Sequence, residues 1–160
     1  MYAAYRADKI NGPVTALAAD TNSRPYLVVV DSGATEHCFW RRDDFIEYHP
    51  VELREGNAAE GSKFRILATG TVRKTFTFAG RTKEITFSAI HSPDITANLI
   101  SISKLDEKGC AVEFTKGKAT FKDRNGVPFM EARLVDGMYR VDFDAAGVTA
   151  AWTARSRASP

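Results

Sequence analysis

A short apolar run near the start of the chain predicts a buried β-strand. Residues 27–30 have the sequence Leu-Val-Val-Val and are followed by Asp31-Ser32-Gly33. Runs of β-branched residues that end at turn residues are typical of buried strands. Serine and glycine allow a sharp turn and a close approach of other groups to the backbone. The pattern therefore places the Asp31 carboxylate at the end of a rigid strand, where it is positioned for chemistry rather than for solvation.

Strand patterns dominate the chain from Phe64 onward. Residues 72–78 are rich in β-formers, and Ala79-Gly80 predicts a hairpin turn into residues 84–90. Residues 54–63 are polar and are predicted to form a loop. Further strands are predicted at residues 14–18, 111–114, 118–122, 127–134 and 138–143, with turns at Asn125-Gly126 and Asp136-Gly137.

One segment, residues 97–108, predicts a helix. Leu99, Ile102 and Leu105 recur at helical spacing and define one apolar face, and Gly109 follows as a left-handed cap. We therefore expect an all-β protein, mainly β with one clear α-helix, and the arrangement that fits it is a small closed β-barrel.

The length of 160 residues predicts a single domain. We expect a lead-in segment at residues 1–24, a folded domain at residues 25–143 and a flexible tail or linker at residues 144–160. The tail is rich in Ala, Ser and Arg, a composition that does not favour a packed core.

Composition narrows the possible functions. A net charge of +2 does not predict a membrane binder or a strong nucleic-acid binder, and no apolar run reaches the roughly 18 residues of a membrane-spanning helix. The first residues lack the pattern of a signal peptide, so Cys38 and Cys110 are expected to be reduced. The three histidines, His37, His49 and His91, are too scattered for a metal site, and we expect neither a metal nor a cofactor.

Asp31 belongs to the single Asp-Ser-Gly of the chain. Amide hydrolysis by carboxylates requires two of them, close enough to share one proton. A symmetric dimer brings equivalent residues face to face across its axis, so one motif per chain is sufficient. The alternative is that Asp-Ser-Gly is an ordinary β-turn, a common occurrence of this tripeptide.

Three motifs together carry a resemblance to a known family. They are Asp31-Ser32-Gly33-Ala34-Thr35-Glu36-His37, the segment at residues 98–109 that begins Asn-Leu-Ile-Ser-Ile-Ser-Lys-Leu, and residues 132–141, which contain Gly137-Met138-Tyr139 at the start of the last predicted strand. In these motifs the sequence resembles the protease region of copia-type (TNT-like) retrotransposon polyproteins. The resemblance covers roughly residues 25–143.

The resemblance implies a retropepsin-like closed β-barrel with extra C-terminal hairpin strands, which acts as a homodimer and cuts its own polyprotein. It implies that Asp31 is the catalytic aspartate, that the Ser32 hydroxyl joins the two active-site loops across the dimer, and that Gly33 admits the substrate backbone. Ala34 and Thr35 complete the active-site loop. A flap with its bend at Gly70 is expected to close over the substrate, and it comprises Ile66, Leu67, Ala68, Thr69, Gly70, Thr71 and Val72.

The expected partners are a second copy of the chain and an extended peptide or polyprotein substrate, which can bind by adding a strand to a sheet. The expected location is intracellular, in the cytoplasm within a virus-like particle, with the nucleus as an alternative. Two other functions stay open from the sequence. One is a catalytically silent barrel that serves as an interaction module, and the other is a peptide- or ubiquitin-binding adaptor derived from a retropepsin.

Overall fold

The structure is a computed structural model, and it describes residues 24–145. The predicted strand at residues 14–18, nearly all of the lead-in segment and most of the tail lie outside these residues. Within the described range the protein is mostly β with a single α-helix, as predicted. The strands are β1 (Val28–Asp31), β2 (His37–Phe39), β3 (Phe45–Asn57), β4 (Lys63–Phe78), β5 (Arg81–His91), β6 (Asn98–Ser101), β7 (Ala111–Thr115), β8 (Lys118–Lys122), β9 (Pro128–Val135) and β10 (Met138–Arg140). The helix α1 spans Ile102–Glu107, and a 3-10 turn covers Arg42–Asp44.

The ten strands form one sheet whose ends do not meet. The hydrogen-bonded order is β3-β4-β5-β2-β6-β1-β10-β9-β8-β7, so β3 and β7 are its two edges. The expectation of a closed barrel is therefore wrong for the described residues. The sheet instead folds over its own core, where Val72 of β4 and Phe87 of β5 share one buried cluster with Phe121 of β8 and Met130 of β9. Burial of these side chains holds the two halves of the sheet together. The edge strands β3 and β7 are not hydrogen-bonded to each other.

The C-terminal hairpin strands that were predicted are present. Strands β7 to β10 form an antiparallel series, and β10 connects the series to β1 through the pairing of Arg140 with Val29. Asp136 and Gly137 both have positive φ, at 51° and 73°, which is the backbone of a tight hairpin turn. This turn was predicted correctly from its Asp-Gly sequence.

The first part of the segment that was predicted to be helical, residues 97–108, forms a strand instead. Residues 98–101 form β6, and only Ile102–Glu107 are helical. Leu99 and Ile100 are fully buried, with β1 on one side and β2 on the other, and the backbone of this segment pairs with both. A helix would use those backbone groups internally and leave β1 and β2 without a partner on the sides that face each other. Gly109 has φ +80° and ends the helical segment as predicted.

The bend predicted at Gly70 is wrong. Strand β4 continues through Gly70, which lies opposite Tyr48 of β3 and Ala89 of β5. The turn of the β3–β4 hairpin lies instead at residues 58–62, where the Ala58 amide donates to the Ser62 carbonyl oxygen at 2.8 Å. The predicted flap segment is therefore the middle of a long strand. A side chain at Gly70 would overlap the Glu47 carbonyl oxygen, so glycine is required here for close packing of β3 on β4.

Candidate active site

Asp31 is the last residue of β1 and is buried, with 1% of its surface exposed. The Gly33 amide donates a hydrogen bond to Asp31 Oδ1 at 2.7 Å. Ser32 and Gly33 are exposed, so the chain turns outward directly after the aspartate. A Cβ atom on Gly33 would lie 3.3 Å from Asp31 Oδ1, and glycine therefore fits the tight turn around the carboxylate.

The two strands that flank the Asp31 loop are held apart by β6. Strand β6 runs parallel to β1 and antiparallel to β2, and it lies between them. At the start of β6 the fully buried Asn98 contacts both neighbours. Its Nδ2 donates to the Leu27 carbonyl oxygen at 3.0 Å, and its Oδ1 accepts from the Trp40 amide at 2.9 Å. One buried side chain thus fixes the distance between the strands at the end away from the loop.

Ser101 makes the corresponding contacts at the other end of β6. In the β1–β6 register it lies opposite Asp31. Its amide donates to His37 Nδ1 at 3.0 Å, and its Oγ donates to the Ala34 carbonyl oxygen at 2.7 Å. Ser101 is fully buried and His37 is 3% exposed, so water does not compete for these bonds.

Sequence alone predicted no separate role for His37, Asn98 or Ser101. The available signal was a polar residue in a segment that is otherwise apolar, as with the asparagine and serine that enclose Leu99 and Ile100. Buried polar groups of this kind are nearly always hydrogen-bonded. Their partners lie 58 to 71 residues away along the chain, so the sequence does not reveal them.

The electrostatic surroundings of His37 keep its ring neutral. Burial, with the positive charges of Lys108 and Lys104 added, lowers the pKa of His37 to about 4. The Phe87 ring packs edge-on against the imidazole, with 5.1 Å between the ring centroids. Because Nδ1 accepts the Ser101 amide hydrogen, the proton of the neutral ring is on Nε2.

This shift predicts that the protein loses stability in mild acid. The unfolded state takes up a proton on His37 near pH 6.5 while the folded state resists it down to about pH 4, so stability falls as the pH decreases through this window. The His37 contribution amounts to about 3 kcal/mol at full effect, on the order of 1.4 kcal/mol per pKa unit. Urea unfolding at pH 7, 5.5 and 4 measures the loss.

The variant His37→Asn carries no titrating ring and is expected to show a shallower pH dependence than the wild type. His49→Asn is the matched control, because His49 is exposed and makes no buried contact with the loop. Equal pH slopes for the wild type and His37→Asn would contradict the assignment. The pKa of His91 is also lowered by burial, so some slope is expected to persist in His37→Asn.

A pocket of about 470 Å³ lies beside the Asp31 loop. Thr35 and Glu36 of the loop form one side, and the β3–β4 hairpin and β5 form the others. Its apolar surface comes from residues that include Val51, Phe64, Ile66, Ala89 and Ile90, and its polar lining from residues that include Arg54, Asn57, Thr69 and Ser88. The pocket is therefore suited to a side chain that is mainly apolar.

The structure divides the predicted flap residues. Ile66 and Thr69 line the pocket, whereas Ala68 and Val72 are fully buried in the core. Leu67 is half-buried, and Thr71 Oγ1 donates to Glu47 Oε2 at 2.9 Å. Of the predicted loop residues, Thr35 reaches the pocket and Ala34 is buried behind it. Contact of these residues with a substrate stays a prediction.

Other candidate chemistry is sparse in the part of the chain that the structure describes. No group of three or more His, Cys, Asp or Glu side chains there is arranged to hold a metal ion. Cys38 and Cys110 are both free thiols. Among residues 24–145, no helix has the length and apolar character needed to cross a membrane.

A family model matches the part of the chain that holds the Asp31 loop. The model of the family described as "Pol polyprotein, beta-barrel domain" matches residues 28–110, just over half of the chain. The chain therefore belongs to this family, and it is a Pol-type domain of retroelements. The match begins at β1, includes the Asp31 loop and β6, and ends just after α1. No curated protein sequence matches the chain.

Proposed function

We propose that this domain is the aspartic endopeptidase of a copia-type retrotransposon polyprotein and that it works as a homodimer. The observation that carries the proposal is the position of Asp31, at the end of a buried strand and at the start of a loop that leads directly into a pocket of about 470 Å³. Membership of the Pol polyprotein family and the resemblance of the three motifs to copia-type proteases support it.

The chemistry requires two carboxylates at contact distance with one shared proton. The ionised carboxylate takes a proton from a water molecule as the water oxygen attacks the peptide carbonyl carbon. The other carboxyl group gives its proton to the carbonyl oxygen, and a tetrahedral intermediate forms. The C–N bond then breaks as the nitrogen receives the proton that was taken from water. One hydroxyl of the intermediate returns its proton to the other carboxylate, which leaves a new carboxyl terminus and a new amine terminus and restores the shared proton.

A second copy of the chain is the proposed source of the second carboxylate. The chain has one Asp-Ser-Gly, and a two-fold axis beside the Asp31 loop brings the two loops together. Ser32 is exposed at that loop, and its hydroxyl is available for the contact across the axis that the resemblance implies.

The proposed substrate is an extended segment of the polyprotein itself. An extended peptide can pair with a strand edge, and β3, which is an edge of the sheet, also supplies part of the pocket. The apolar residues in the pocket lining, among them Ile66 and Ile90, favour a large apolar substrate side chain at this position. We place this processing inside the cell, in a cytoplasmic particle or in the nucleus.

The burial of Asp31 favours a second function, that of a catalytically silent interaction module. With 1% of its surface exposed in the single chain, the carboxylate does not meet bulk water. Catalysis therefore requires that dimer formation or substrate binding opens access to it. A silent module requires no such change, and in that case the role of Asp31 is structural, with its bond to the Gly33 amide fixing the turn.

The two functions differ in how activity depends on protein concentration. A monomer has half of an active site, so well below the dimer dissociation constant a tenfold dilution is expected to lower the cleavage rate about a hundredfold. The measurement is cleavage of a peptide library at several enzyme concentrations, with and without pepstatin, beside sedimentation of the same samples. A rate that stays proportional to concentration in a monomeric sample contradicts the homodimer. Complete absence of cleavage by a dimer favours the silent module.

A further inference from the structure

We infer that Ser101 and His37 are positioning residues that hold the Asp31 loop, residues 32–36, in its observed conformation. Strand β6 ends at Ser101. Ser101 is hydrogen-bonded to Ala34 of the loop and to His37, the residue that follows the loop. The effect of this pair on catalysis depends on the proposed function. Its effect on the conformation of the loop does not.

Three separate contacts converge on Ser101. Its backbone lies in register with Asp31, where the loop begins. Its Oγ donates to the carbonyl oxygen of Ala34, in the middle of the loop, at 2.7 Å. Its amide donates to the ring of His37, directly after the loop, at 3.0 Å. Ser101 therefore bonds to Ala34 in the middle of the loop and to His37 after it, and it lies beside Asp31 before it.

Ala34 is the point at which the loop is attached to the core. Of the five loop residues only Ala34 is buried, and it packs in a cluster with Val29 and Leu99. The other four are exposed and have no packing of this kind. If the Ala34 carbonyl oxygen loses its bond to Ser101, a buried acceptor is left unsatisfied, at a cost that favours opening of the loop. The Gly33 amide that bonds to Asp31 lies directly beside this point.

Ser101 also caps α1, and the two roles must be separated. Its Oγ accepts from the Lys104 amide at 3.3 Å and lies 3.0 Å from Ser103 Oγ. Ser103 is exposed and has no contact with the loop in the described structure. The variant Ser103→Gly removes the second hydroxyl and weakens α1, because glycine lowers helix stability. Lys104 of α1 also forms an ion pair with Glu36 of the loop, with 3.5 Å between Nζ and Oε1, so damage to α1 can reach the loop by this route. Ser103→Gly is therefore the matched control for every effect that passes through the helix.

The first experiment measures amide hydrogen exchange of the full chain. Loss of one buried hydrogen bond is expected to raise the exchange rate of the Gly33 amide, which donates to Asp31 Oδ1 within the loop, about tenfold in Ser101→Ala, relative to core amides such as that of Val72 in the same sample. Ser101→Thr retains a hydroxyl and is expected to keep the wild-type rates. Ser103→Gly is expected to do the same at the loop. Unchanged loop exchange in Ser101→Ala, or equal acceleration in Ser103→Gly, overturns the inference.

A pair of His37 variants gives the same comparison if Ser101→Ala does not fold. In His37→Asn the side-chain Oδ1 can take the place of Nδ1 as acceptor for the Ser101 amide, whereas His37→Leu has no acceptor. Faster loop exchange in His37→Leu than in His37→Asn supports the inference. Equal loop exchange in the two variants overturns it.

The second experiment measures cleavage kinetics of the same variants at equal folded fraction. A displaced carboxylate impairs the chemical step, so Ser101→Ala is expected to lower kcat about tenfold or more with little change in KM, and Ser101→Thr is expected to restore it. If the loop opens in Ser101→Ala while kcat stays at the wild-type value, the pair does not position the aspartate. If the wild type does not cleave at all, the proposed protease function fails, and the exchange result alone decides the role of the pair in the loop.

Discussion

Replacing Asp31 with asparagine is expected to lower peptide cleavage at least about a hundredfold while the protein stays folded. An amide cannot share the proton that the two carboxylates exchange, and loss of general acid–base catalysis costs roughly two to four orders of magnitude. The fold is expected to persist because the asparagine side chain retains an oxygen that can accept the Gly33 amide hydrogen, as Asp31 Oδ1 does at 2.7 Å. Cleavage rate and circular dichroism are measured on the same samples.

The control for this variant is Asp44→Asn. Asp44 is also a largely buried aspartate, with 7% of its side chain exposed, but it bonds to Tyr26 and Lys74 on a different part of the molecule. Once rates are corrected for folded fraction, Asp44→Asn is expected to cleave at the wild-type rate. Full activity in Asp31→Asn would remove Asp31 from the catalytic machinery.

Excess Asp31→Asn chains are expected to suppress wild-type activity, because each mixed dimer has a single usable carboxylate. When the variant is in ninefold excess and pairs without preference, almost all wild-type chains lie in mixed dimers. An equal excess of Asp44→Asn is expected not to suppress the rate. Suppression by neither variant would indicate that the chains do not share an active site.

Replacing Gly70 with valine is expected to destabilise the fold by about 3 kcal/mol, which is the upper part of the range for an overpacked core. The new side chain would overlap the Glu47 carbonyl oxygen and lie within 2.9 Å of the Phe45 ring. The Glu47 oxygen belongs to the backbone of the neighbouring strand and cannot move aside as a flexible side chain does. Urea unfolding followed by circular dichroism measures the loss.

Thr75→Val is the control for Gly70→Val, because Thr75 lies on the same strand, already carries a β-branched side chain and is half-buried. It is expected to change stability by less than about 0.5 kcal/mol. A Gly70→Val protein as stable as the wild type would contradict the close packing of β3 on β4. Because Gly70 lies in the middle of the sheet rather than at the bend of a flap, we expect its replacement to affect stability first and turnover only as a consequence.

Local sequence was sufficient wherever neighbours along the chain decide the structure. The apolar run before Asp31 forms a buried strand, and Asp136-Gly137 forms a tight turn, because backbone conformations at such turns depend on the residues themselves. For the same reason Gly109 ends the helical segment with a positive φ. These features follow from propensities that act within a few residues.

Residues 98–101 show where this reasoning fails. Leu99, Ile102 and Leu105 have helical spacing, but Leu99 lies in a different core cluster from the other two. A short apolar segment fits either a helix or a strand. Here the facing backbone edges of β1 and β2, both of which pair with β6, decided for a strand. Gly70 is a similar case, because its partner Glu47 comes from the neighbouring strand.

The sequence by itself determined that Asp31 ends a buried strand and begins a sharp turn, because both depend on residues 27–33 alone. Only the tertiary structure decided what holds that turn. Ser101 and His37 are 64 residues apart, and their hydrogen bond exists because β6 is inserted between β1 and β2. The tertiary structure also decided that the sheet has two free edges. Val72, Phe121 and Met130 are distant in the sequence but share one buried core, and this core forms without hydrogen bonds between β3 and β7.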